Sequence, residues 1–472
     1  MFARIQRVHF VGIGGIGMSG IAEVLLNLGW KVSGSDLKSS AVTERLVGMG
    51  AQIFEGHREE NVRGAEVVVT SSAIARDNPE VLAAHRLHLP VIQRAEMLAE
   101  LMRLKYGIAI AGMHGKTTTT SMVAAVLAAG GLDPTVVVGG RVDALGSNAR
   151  LGKSHYLVAE ADESDRSFLK LSPILSVVTN IDREHMDCYR DMDDIESTFL
   201  DFMDRVPFYG MVVACNDDDR LRALIPRLRR RAVTYGLRDD SDFRISAAES
   251  EIAPGEDKPM SQFRVHYGGN DLGEFRLYVP GRHNVLNATA AVAVGIGLDV
   301  APDAIRAALS GFRGVDRRFQ LKGRAAGVSV FDDYGHHPTE IRATLAAARE
   351  LGFRRILVVF QPHRYTRTQA LLDEFGSAFA GADFVCLLDI YPASEPPIRG
   401  ITSQAVLERL RRSGTSAVFA DSFPQAVCMV TAAAQEGDLV LTLGAGNIAQ
   451  LGVQLLDALR QRQETSVAVP EK

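Results

Sequence analysis

The 472-residue sequence lacks several features that mark special classes of protein. It has only four cysteines, and their spacing fits neither a metal-ligand motif nor a redox pair. We therefore expect reduced thiols at Cys188, Cys215, Cys386 and Cys428, as in a reducing compartment. No apolar stretch reaches the length of a membrane span, and the N-terminus lacks the ordered regions of a signal peptide. The sequence thus predicts a cytoplasmic protein with no membrane partner.

An excess of positive charge is also absent. The formal net charge is −5 and the pI is near 6.2, which argues against a nucleic-acid partner. What is present is the composition of an ordinary globular protein, with 46% hydrophobic and 23% charged residues. The length predicts about three domains of typical size. The oligomeric state is left open, and a monomer–dimer equilibrium is compatible with the sequence.

The strongest chemical signal is the segment Ala109-Ile-Ala-Gly-Met-His-Gly-Lys-Thr-Thr-Thr-Thr120. The apolar run 106–111 is typical of a buried parallel strand, and a helix is predicted after the glycine-rich turn. Backbone N–H groups of this turn would converge on phosphate oxygens at the helix N-terminus. Lys116 would neutralise the terminal phosphates, and the Thr117 hydroxyl would bind Mg²⁺. The predicted ATP-binding residues are Gly112, Met113, His114, Gly115, Lys116, Thr117 and Thr118.

The spacing of this turn, Gly-x-x-Gly-Lys-Thr, is shorter than that of a standard P-loop. A tight strand-to-helix turn with a lysine that extends to solvent is the structural alternative. We favour a nucleoside triphosphate site, because strand, turn, lysine, hydroxyl and helix occur in the required order.

A second glycine-rich turn lies near the N-terminus. Strands are predicted at Arg7–Val11 and Lys31–Asp36, and between them Gly12-Ile-Gly-Gly-Ile-Gly17 opens a helix that runs to about Leu28. This Gly-x-Gly-x-x-Gly pattern would hold a diphosphate, with Asp36 near a ribose hydroxyl. NAD and a UDP-sugar satisfy it equally well. A further strand, 66–73, ends in small hydroxyl residues at the same crevice. The predicted substrate-binding residues here are Gly14, Gly15, Ile16, Gly17, Asp36, Ser71 and Ser72.

Acidic residues and a histidine follow the next two predicted strands. The strand that begins at His155 ends in acids beside the phosphate-binding turn, where a Mg²⁺ ligand is expected. Glu160 is the preferred ligand, Asp162 and Glu163 are less favoured neighbours, and a charged surface loop is the alternative. A lone histidine is usually structural, but His185 follows the adjacent strand, 174–181, and we interpret it as functional.

Residues 240–280 predict an antiparallel excursion on the edge of the ATP-binding domain, with a hairpin turn at 268–271. A small-residue helix follows and runs to about Leu298. Asn284 and Asn287 lie three residues apart on one face of this helix, so both amides can address one ligand. A helix N-cap would account for one of them equally well.

Strands and helices alternate again after residue 317, which predicts a second open parallel sheet. Its strands are predicted at 328–333, 356–360, 383–390 and 438–443, with a helix after Pro338. Polar clusters end two of them, 332–338 and 361–367. Adjacent His336 and His337 cannot both enter one pocket, so at least one is structural. Arg364 and Arg367 would present two guanidinium groups to anionic oxygens, unless they form a surface salt-bridge cluster.

In their order and spacing, these motifs resemble those of the Mur ligase family over essentially the whole chain. The resembling segments are Gly-Ile-Gly-Gly-Ile-Gly, Gly-Met-His-Gly-Lys-Thr, Glu-Ala-Asp-Glu-Ser-Asp, Glu-His-Met-Asp, His-Asn-Val-Leu-Asn, Arg-Arg-Phe-Gln, Asp-Asp-Tyr-Gly-His-His-Pro and His-Arg-Tyr-Thr-Arg. The resemblance implies an α/β fold of three domains. These are a UDP-substrate-binding Rossmann-like domain (1–105), a central P-loop ATPase domain with a mostly parallel sheet (106–315) and a C-terminal amino-acid-binding Rossmann-like domain (316–472).

The resemblance also implies an activity. ATP and Mg²⁺ would be used to join L-alanine to the lactyl carboxylate of UDP-N-acetylmuramate through an acyl phosphate, in peptidoglycan precursor synthesis. Lys116 and Thr117 would bind the ATP phosphates and Mg²⁺, and Glu160 and His185 would hold a second Mg²⁺. The remaining implied site residues are Asn284, Asn287, Arg318 and Asp333 for the nucleotide and catalysis, and His337, His363, Arg364 and Arg367 for the substrate. The last three match the segment associated with the muramate substrate.

Several members of the family carry a carbamylated lysine that bridges the metals, and residues 191–203 contain no lysine. The resemblance therefore implies that metal ions are bound, but it does not define the geometry of their ligands. His185 and His337 are candidates for the proton acceptor of the amine. Because sites on three domains must converge, we expect an open form that closes on ATP and substrate.

Two alternatives stay open. A recycling ligase of the same family would accept a preformed tripeptide in place of alanine, and the residues from His363 to Arg367 argue against it. A nicotinamide-dependent oxidoreductase would explain the segment from Gly12 to Asp36. It would leave the loop from Gly112 to Thr117 without a role.

Overall fold

A computed structural model describes residues 6–71, 73–142, 147–252 and 258–467. The chain forms two compact units. The first contains the described residues of Met1–Ser246, Arg264–Phe275 and Leu286–Phe312, and the second those of Ala247–Phe263, Arg276–Val285 and Arg313–Lys472.

The first unit begins with a five-stranded sheet. Its strands and helices are β1 (Arg7–Val11), α1 (Ile16–Asn27), β2 (Lys31–Asp36), α2 (Ala41–Gly48), β3 (Gln52–Glu55), β4 (Val67–Thr70), α3 (Pro79–Arg86), β5 (Val91–Gln93) and α4 (Arg94–Arg103). All pairs are parallel, and the order β3-β2-β1-β4-β5 is that of a Rossmann fold. The predicted β1 and β2 are confirmed. The strand predicted over 66–73 is shorter, because β4 ends at Thr70.

A ten-stranded sheet follows. Its strands are β6 (Tyr106–Ala111), β7 (Thr135–Val142), β8 (Ser147–Arg150), β9 (Tyr156–Glu160), β10 (Leu175–Val178), β11 (Met211–Cys215), β12 (Ala232–Gly236), β13 (Phe243–Ile252), β14 (Pro259–Tyr267) and β15 (Asn270–Leu277). Its helices are α5 (Lys116–Ala129), α6 (Met192–Met203), α7 (Asp219–Leu224), α8 (Arg282–Gly297) and α9 (Pro302–Gly311).

The centre of this sheet is parallel, in the order β12-β11-β10-β6-β9-β7. Strand β6 is buried on both faces, as its continuous apolar run predicts, and it ends at the glycine-rich turn that opens α5. The predicted excursion lies at one edge of the sheet as β13, β14 and β15. Its hairpin turn at Gly268 and Gly269 joins β14 to β15, whereas β13 meets β12 in parallel.

The second unit contains a six-stranded sheet in the order β16-β17-β21-β18-β19-β20. Its strands are β16 (Gln320–Ala325), β17 (Val328–Asp333), β18 (Ile356–Phe360), β19 (Phe384–Leu387), β20 (Ala417–Phe419) and β21 (Leu439–Leu443). Its helices are α10 (Pro338–Glu350), α11 (Tyr365–Ala370), α12 (Leu372–Ala378), α13 (Ser403–Arg412), α14 (Phe423–Ala433) and α15 (Leu451–Val467). All strand pairs are parallel except β16 with β17.

Helices cover both faces of this sheet, and strand β18 shows why. Its residues alternate between two hydrophobic cores: Val358 and Phe360 join one core, and Leu357 and Val359 join the other. A strand that is apolar at every position must be covered on both sides. The predicted open parallel sheet is confirmed.

All four cysteines are free, as predicted. Cys215 and Cys386 are buried and Cys428 is exposed. In the part of the chain that the structure describes, no helix combines the length and the apolar character needed to cross a membrane.

Candidate active site

A cleft of about 790 Å³ opens in the first unit at the carboxyl ends of β1, β2, β4, β6 and β9. The N-terminal glycine-rich turn lines it, and so does Lys116, which directly follows the second glycine-rich turn. The predicted site residues that line it are Gly14, Gly15, Gly17, Asp36, Ser71, Lys116 and Glu160. The structure therefore brings the predicted diphosphate site and the predicted ATP site to one cavity.

The N-terminal glycine-rich turn is held by Asp36. The backbone N–H of Gly14 donates to Asp36 Oδ2 at 2.8 Å, and the N–H of Leu37 donates to Asp36 Oδ1 at 2.8 Å. The carboxylate predicted to contact a ribose thus also fixes the backbone of the turn. Ile16 is the first residue of α1. Ser72 lies outside the described residues.

The second turn has the backbone that its glycines predict. Gly112 and Gly115 have φ values of +128° and +84°, which only glycine adopts without strain. Lys116 begins α5 directly after Gly115, so the N-terminus of this helix faces the turn. An anion bound there would meet free N–H groups and the positive end of the helix dipole.

A neighbouring strand fixes this turn from the side. The N–H of His114 donates to Asn180 Oδ1 at 2.9 Å, and the Thr179 hydroxyl donates to the His114 carbonyl at 2.6 Å. His114 Nε2 lies 2.9 Å from Asp182 Oδ2. Met113 is buried beneath the turn. His114 is therefore engaged with residues that follow β10, which sequence analysis did not assign to the site.

Lys116 forms an ion pair with Glu163. The Lys116 ammonium lies 2.7 Å from Glu163 Oε1 and donates to the carbonyl of Gly112 at 2.7 Å. Burial lowers the pKa of Lys116, but the charge and hydrogen bond of Glu163 outweigh it and hold this pKa above its ordinary value. His185 Nε2 lies 3.6 Å from the same Glu163 oxygen. Glu163, less favoured from the sequence, therefore joins the predicted phosphate lysine to the predicted metal histidine.

The donor atoms around Lys116 fit a hard divalent cation. Glu160 is the last residue of β9 and lines the cleft, and Thr117 lies in the first turn of α5. The side chain of Glu163 is only 1% exposed, and its Oε2 has no hydrogen-bond partner among the described residues. Carboxylate and hydroxyl oxygens are the ligands that Mg²⁺ prefers. Thr118 lies one residue further along α5 and is buried.

Arg94 is a cleft residue that sequence analysis missed. It begins α4 and pairs with Asp162 at 2.8 Å, and both side chains line the cleft. A Cβ added to Gly17 would lie 2.7 Å from Arg94 Nη1, so the guanidinium rests against the N-terminal glycine-rich turn. An arginine at this point offers bidentate hydrogen bonds to an anionic ligand. No local motif marks Arg94.

Asn287 lies beside the phosphate-binding turn. A Cβ added to Gly115 would meet Asn287 Oδ1 at 2.7 Å, so the α8 amide approaches this glycine closely. Asn284, one turn earlier on α8, is buried and donates to the Pro280 carbonyl at 2.8 Å. The two amides thus have different surroundings.

In the second unit, Asp333 ends β17 and organises the loop that follows. It accepts hydrogen bonds from the N–H groups of Phe319 and Gly335, each at 2.7 Å. Burial raises the pKa of Asp333 to about 6, although the charge of Arg318 opposes this shift. Arg318 lies 3.7 Å from Glu340 and 5.0 Å from the centre of the Tyr334 ring. Arg318 and Asp333 are therefore close neighbours electrostatically.

A cluster of histidines and arginines lies at the end of β18. The rings of His336 and His363 are 5.8 Å apart, and His363 stacks on Tyr391 at 5.6 Å. Burial, with the nearby charges of His336 and the arginines, lowers the pKa of His363 to about 3. Neutral His363 can then accept at Nδ1, which lies 3.1 Å from Arg367 Nη1. Arg364 has a φ of +68° and is exposed.

His337 has a different role from the residues of this cluster. It is the N-cap of α10, is 1% exposed, and its Nδ1 accepts from the N–H of Thr339 at 3.3 Å. This agrees with the prediction that at least one of the two adjacent histidines is structural. A substrate contact from His337 stays a prediction.

The chain matches three consecutive domain families of the Mur ligases. These are the Mur ligase family, catalytic domain, over residues 7–106, the Mur ligase middle domain over 110–295, and the Mur ligase, glutamate ligase domain, over 317–446. The chain therefore belongs to the Mur ligase family. The three-domain α/β fold inferred from the sequence is confirmed.

Several proteins of this family are similar to the chain over nearly its whole length. The UDP-N-acetylmuramate–L-alanine ligase of Koribacter versatilis is 69% identical over 464 residues, which cover 98% of this chain and 99% of the relative. The enzyme of the same name from Acidobacterium capsulatum is 62% identical over 462 residues, with 98% and 99% coverage. The crystal structure of UDP-N-acetylmuramate–alanine ligase MurC from Thermotoga maritima is 31% identical with a TM-score of 0.79, and covers 98% of this chain and 99% of that chain.

Proposed function

We propose that this protein is an ATP-dependent ligase that forms an amide between L-alanine and the lactyl carboxylate of UDP-N-acetylmuramate, in peptidoglycan precursor synthesis. The products are ADP, phosphate and the alanylated nucleotide sugar. Residues 1–105 would bind the UDP-substrate, 106–315 would bind ATP, and 316–472 would bind the amino acid.

One observation carries this proposal beyond the similarity of relatives. The N-terminal glycine-rich turn lines one cleft together with Glu160 and Lys116, the residue that directly follows the second glycine-rich turn. A ligand with a diphosphate at the first turn and a carboxylate further along could present that carboxylate to ATP at the second. UDP-N-acetylmuramate has both groups. An oxidoreductase has no use for the second turn, and it would not need Lys116 to share a cavity with the first turn.

The first chemical step would be phosphoryl transfer. The lactyl carboxylate attacks the γ-phosphate of ATP, the bond from this phosphorus to the β–γ bridging oxygen breaks, and an acyl phosphate and ADP result. Lys116, Arg94 and the N–H groups at the start of α5 would offset the negative charge that collects there. One Mg²⁺ ion held by Thr117, and a second held by Glu160 and His185 near the substrate carboxylate, would supply further positive charge.

The second step would be attack of the alanine amine on the acyl carbon, with release of phosphate and loss of one amine proton. Arg364 and Arg367 have the chemistry to hold an anionic group of the muramate substrate. His363 has a pKa of about 3 and would stay neutral at physiological pH, so it can accept a hydrogen bond without adding charge. His185 and His337 stay the candidates for the proton acceptor.

The test is ADP release by the purified protein with ATP, Mg²⁺ and UDP-N-acetylmuramate. L-alanine, an L-alanyl-γ-D-glutamyl peptide and D-glutamate are supplied in separate reactions, and nicotinamide absorbance is followed in parallel. We expect ADP only with L-alanine. Release with the peptide alone would assign the protein to recycling, and release with none would reject the proposed substrates.

Two lysine variants distinguish loss of the phosphate site from a general effect of replacing a lysine. Lys116→Ala should abolish turnover, because it removes the charge that faces the phosphates. Lys153→Ala removes an exposed lysine of the same domain and should leave turnover at the wild-type rate. Equal loss in both variants would contradict the assigned phosphate site.

A further inference from the structure

Glu163 is the most tightly enclosed acid next to the predicted phosphate lysine. Its side chain is 1% exposed, and its Oε1 lies 2.7 Å from the Lys116 ammonium. The Tyr189 hydroxyl donates to the Glu163 backbone carbonyl at 2.6 Å, which anchors the residue on the far side. The Lys116 charge is therefore already matched before any phosphate arrives.

Burial of the Lys116–Glu163 ion pair is energetically unfavourable, so we expect the pair to have a function. Glu163 Oε2 is buried and has no hydrogen-bond partner among the described residues, although a buried carboxylate oxygen ordinarily has one. A buried ion pair also gives little net stability, because both charges must leave water. A purely structural role would be served as well by a neutral, fully bonded side chain.

The position of Glu163 opposes phosphate binding only when no metal ion accompanies the phosphates. A triphosphate that approaches Lys116 without a metal meets the carboxylate at short range, and like charges repel strongly in a partly enclosed site. A divalent cation among the phosphate oxygens reverses the sign of this interaction. The second Glu163 oxygen then has a cationic partner, and His185 Nε2, 3.6 Å from Oε1, is a further group close to this carboxylate.

We propose that Glu163 is a positioning residue of the nucleotide site: it is the internal counter-ion of Lys116 in the nucleotide-free protein, and it makes triphosphate binding depend on Mg²⁺. Free ATP must compete with Glu163 for the lysine. ATP bound to Mg²⁺ does not compete, because the metal ion binds the Glu163 carboxylate while the phosphates bind the Lys116 ammonium. The inference rests on the proposed function only for the identity of the triphosphate.

The experiment is calorimetric titration of the full-length protein with ATP, once with Mg²⁺ and once with EDTA. No second substrate is present, so no turnover is needed. In Glu163→Gln, we expect ATP without Mg²⁺ to bind about tenfold tighter than in the wild type, because the competing charge is gone. The ratio of the dissociation constants without and with Mg²⁺ should fall by a factor of about ten or more.

Two further variants make the test specific. Glu163→Asp keeps the charge and should keep most of the Mg²⁺ dependence, and it serves if the glutamine variant is unstable. Asp165→Asn removes a charge from the same segment at an exposed position that caps the N–H of Ser167. It should show the wild-type ratio, so a general change in charge cannot mimic the effect.

The possible results distinguish a failure of this proposal from a failure of the proposed nucleotide site. If Glu163→Gln melts normally and binds metal-free ATP no more tightly than the wild type, Glu163 is not a competing counter-ion and the proposal is wrong. The same conclusion follows if Glu163→Gln and Glu163→Asp behave alike. If the wild type binds ATP in neither condition, or Lys116→Ala binds as well as the wild type, the proposed nucleotide site itself fails.

Discussion

At the scale of single residues, position 115 meets two requirements that only glycine satisfies. Its φ of +84° lies in the left-handed region, where a side chain is strained. A Cβ there would also lie 2.7 Å from Asn287 Oδ1, so the Asn287 amide would have to shift. Both requirements arise because the turn must bring backbone N–H groups to the start of α5.

We expect Gly115→Ala to weaken ATP binding at least tenfold, because the turn or Asn287 must move. Gly131→Ala is the matched control, since Gly131 has a φ of +77° with no atom within 4 Å of an added Cβ. It should cost about 1 kcal/mol of stability from backbone strain alone and leave ATP affinity unchanged. Calorimetric titration and thermal melting measure the two effects. Equal affinities in the two variants would show that the contact with Asn287 is unimportant.

Residues of the two glycine-rich turns could be predicted from sequence, because the chemistry depends on short spacings that are visible in the chain. Their partners could not be predicted in the same way. Lys116 and Glu163 are 47 positions apart, and Arg94 and Asp162 are 68 positions apart. Lys116 and Glu163 follow β6 and β9, which are neighbours in one sheet, whereas Arg94 and Asp162 follow strands of two different sheets. No local pattern records which strands the fold brings together.

At the scale of elements, α3 is joined to β1 and β2 through one buried carboxylate. Glu80 accepts from Ser35 at 2.5 Å and from Asn61 at 2.6 Å, and His9 and His57 lie 3.5 and 3.4 Å away. Burial alone would raise the pKa of Glu80. The contacts with His9, Ser35 and Asn61 outweigh burial and hold this pKa at about 2.

A carboxyl group with a pKa lowered from 4.5 to about 2 stabilises the folded state above pH 4.5. This stability is lost as the pH falls from 4.5 towards 2, where Glu80 becomes protonated in the folded protein. We expect Glu80→Gln to be less stable at pH 7 by about 3 kcal/mol, with a gap that narrows below pH 4.5. Thermal melting at pH 7, 5 and 4 measures it.

The control for Glu80 is Glu59, an acid of the same domain that pairs with Arg86 at 2.6 Å on the surface. Glu59→Gln should change stability by no more than about 0.5 kcal/mol at any of these pH values. If Glu80→Gln followed the same course, the buried network would contribute nothing to holding α3 on the sheet.

Central strands could be predicted where they are continuous apolar runs, and β17 and β18 have the predicted limits. Two edge strands of the same sheet were missed. Strand β16, Gln-Leu-Lys-Gly-Arg-Ala, is polar because it is half-exposed, and β20 has only three residues. Edge strands carry weak patterns, since only one neighbour and one face constrain them.

At the scale of the whole molecule, the residues predicted for one reaction belong to two different compact units. Lys116, Glu160 and His185 are in the first unit, whereas Arg318 and Asp333 are in the second. Amide formation requires the amine to reach the acyl phosphate at roughly 3 to 3.5 Å. Catalysis therefore requires both units at one reaction centre, from which water must be excluded.

We expect the protein to become more compact when a non-hydrolysable ATP analogue, Mg²⁺ and UDP-N-acetylmuramate are all bound. Small-angle X-ray scattering should show a smaller radius of gyration than with either ligand alone, because the complete set of ligands engages site residues of both units. Lys116→Ala should not compact, whereas the surface variant Lys153→Ala should compact like the wild type. Identical scattering curves for the free protein and a calorimetrically saturated complex would mean that the two units already have their catalytic arrangement, and that closure is not the step that brings Arg318 and Asp333 into the reaction.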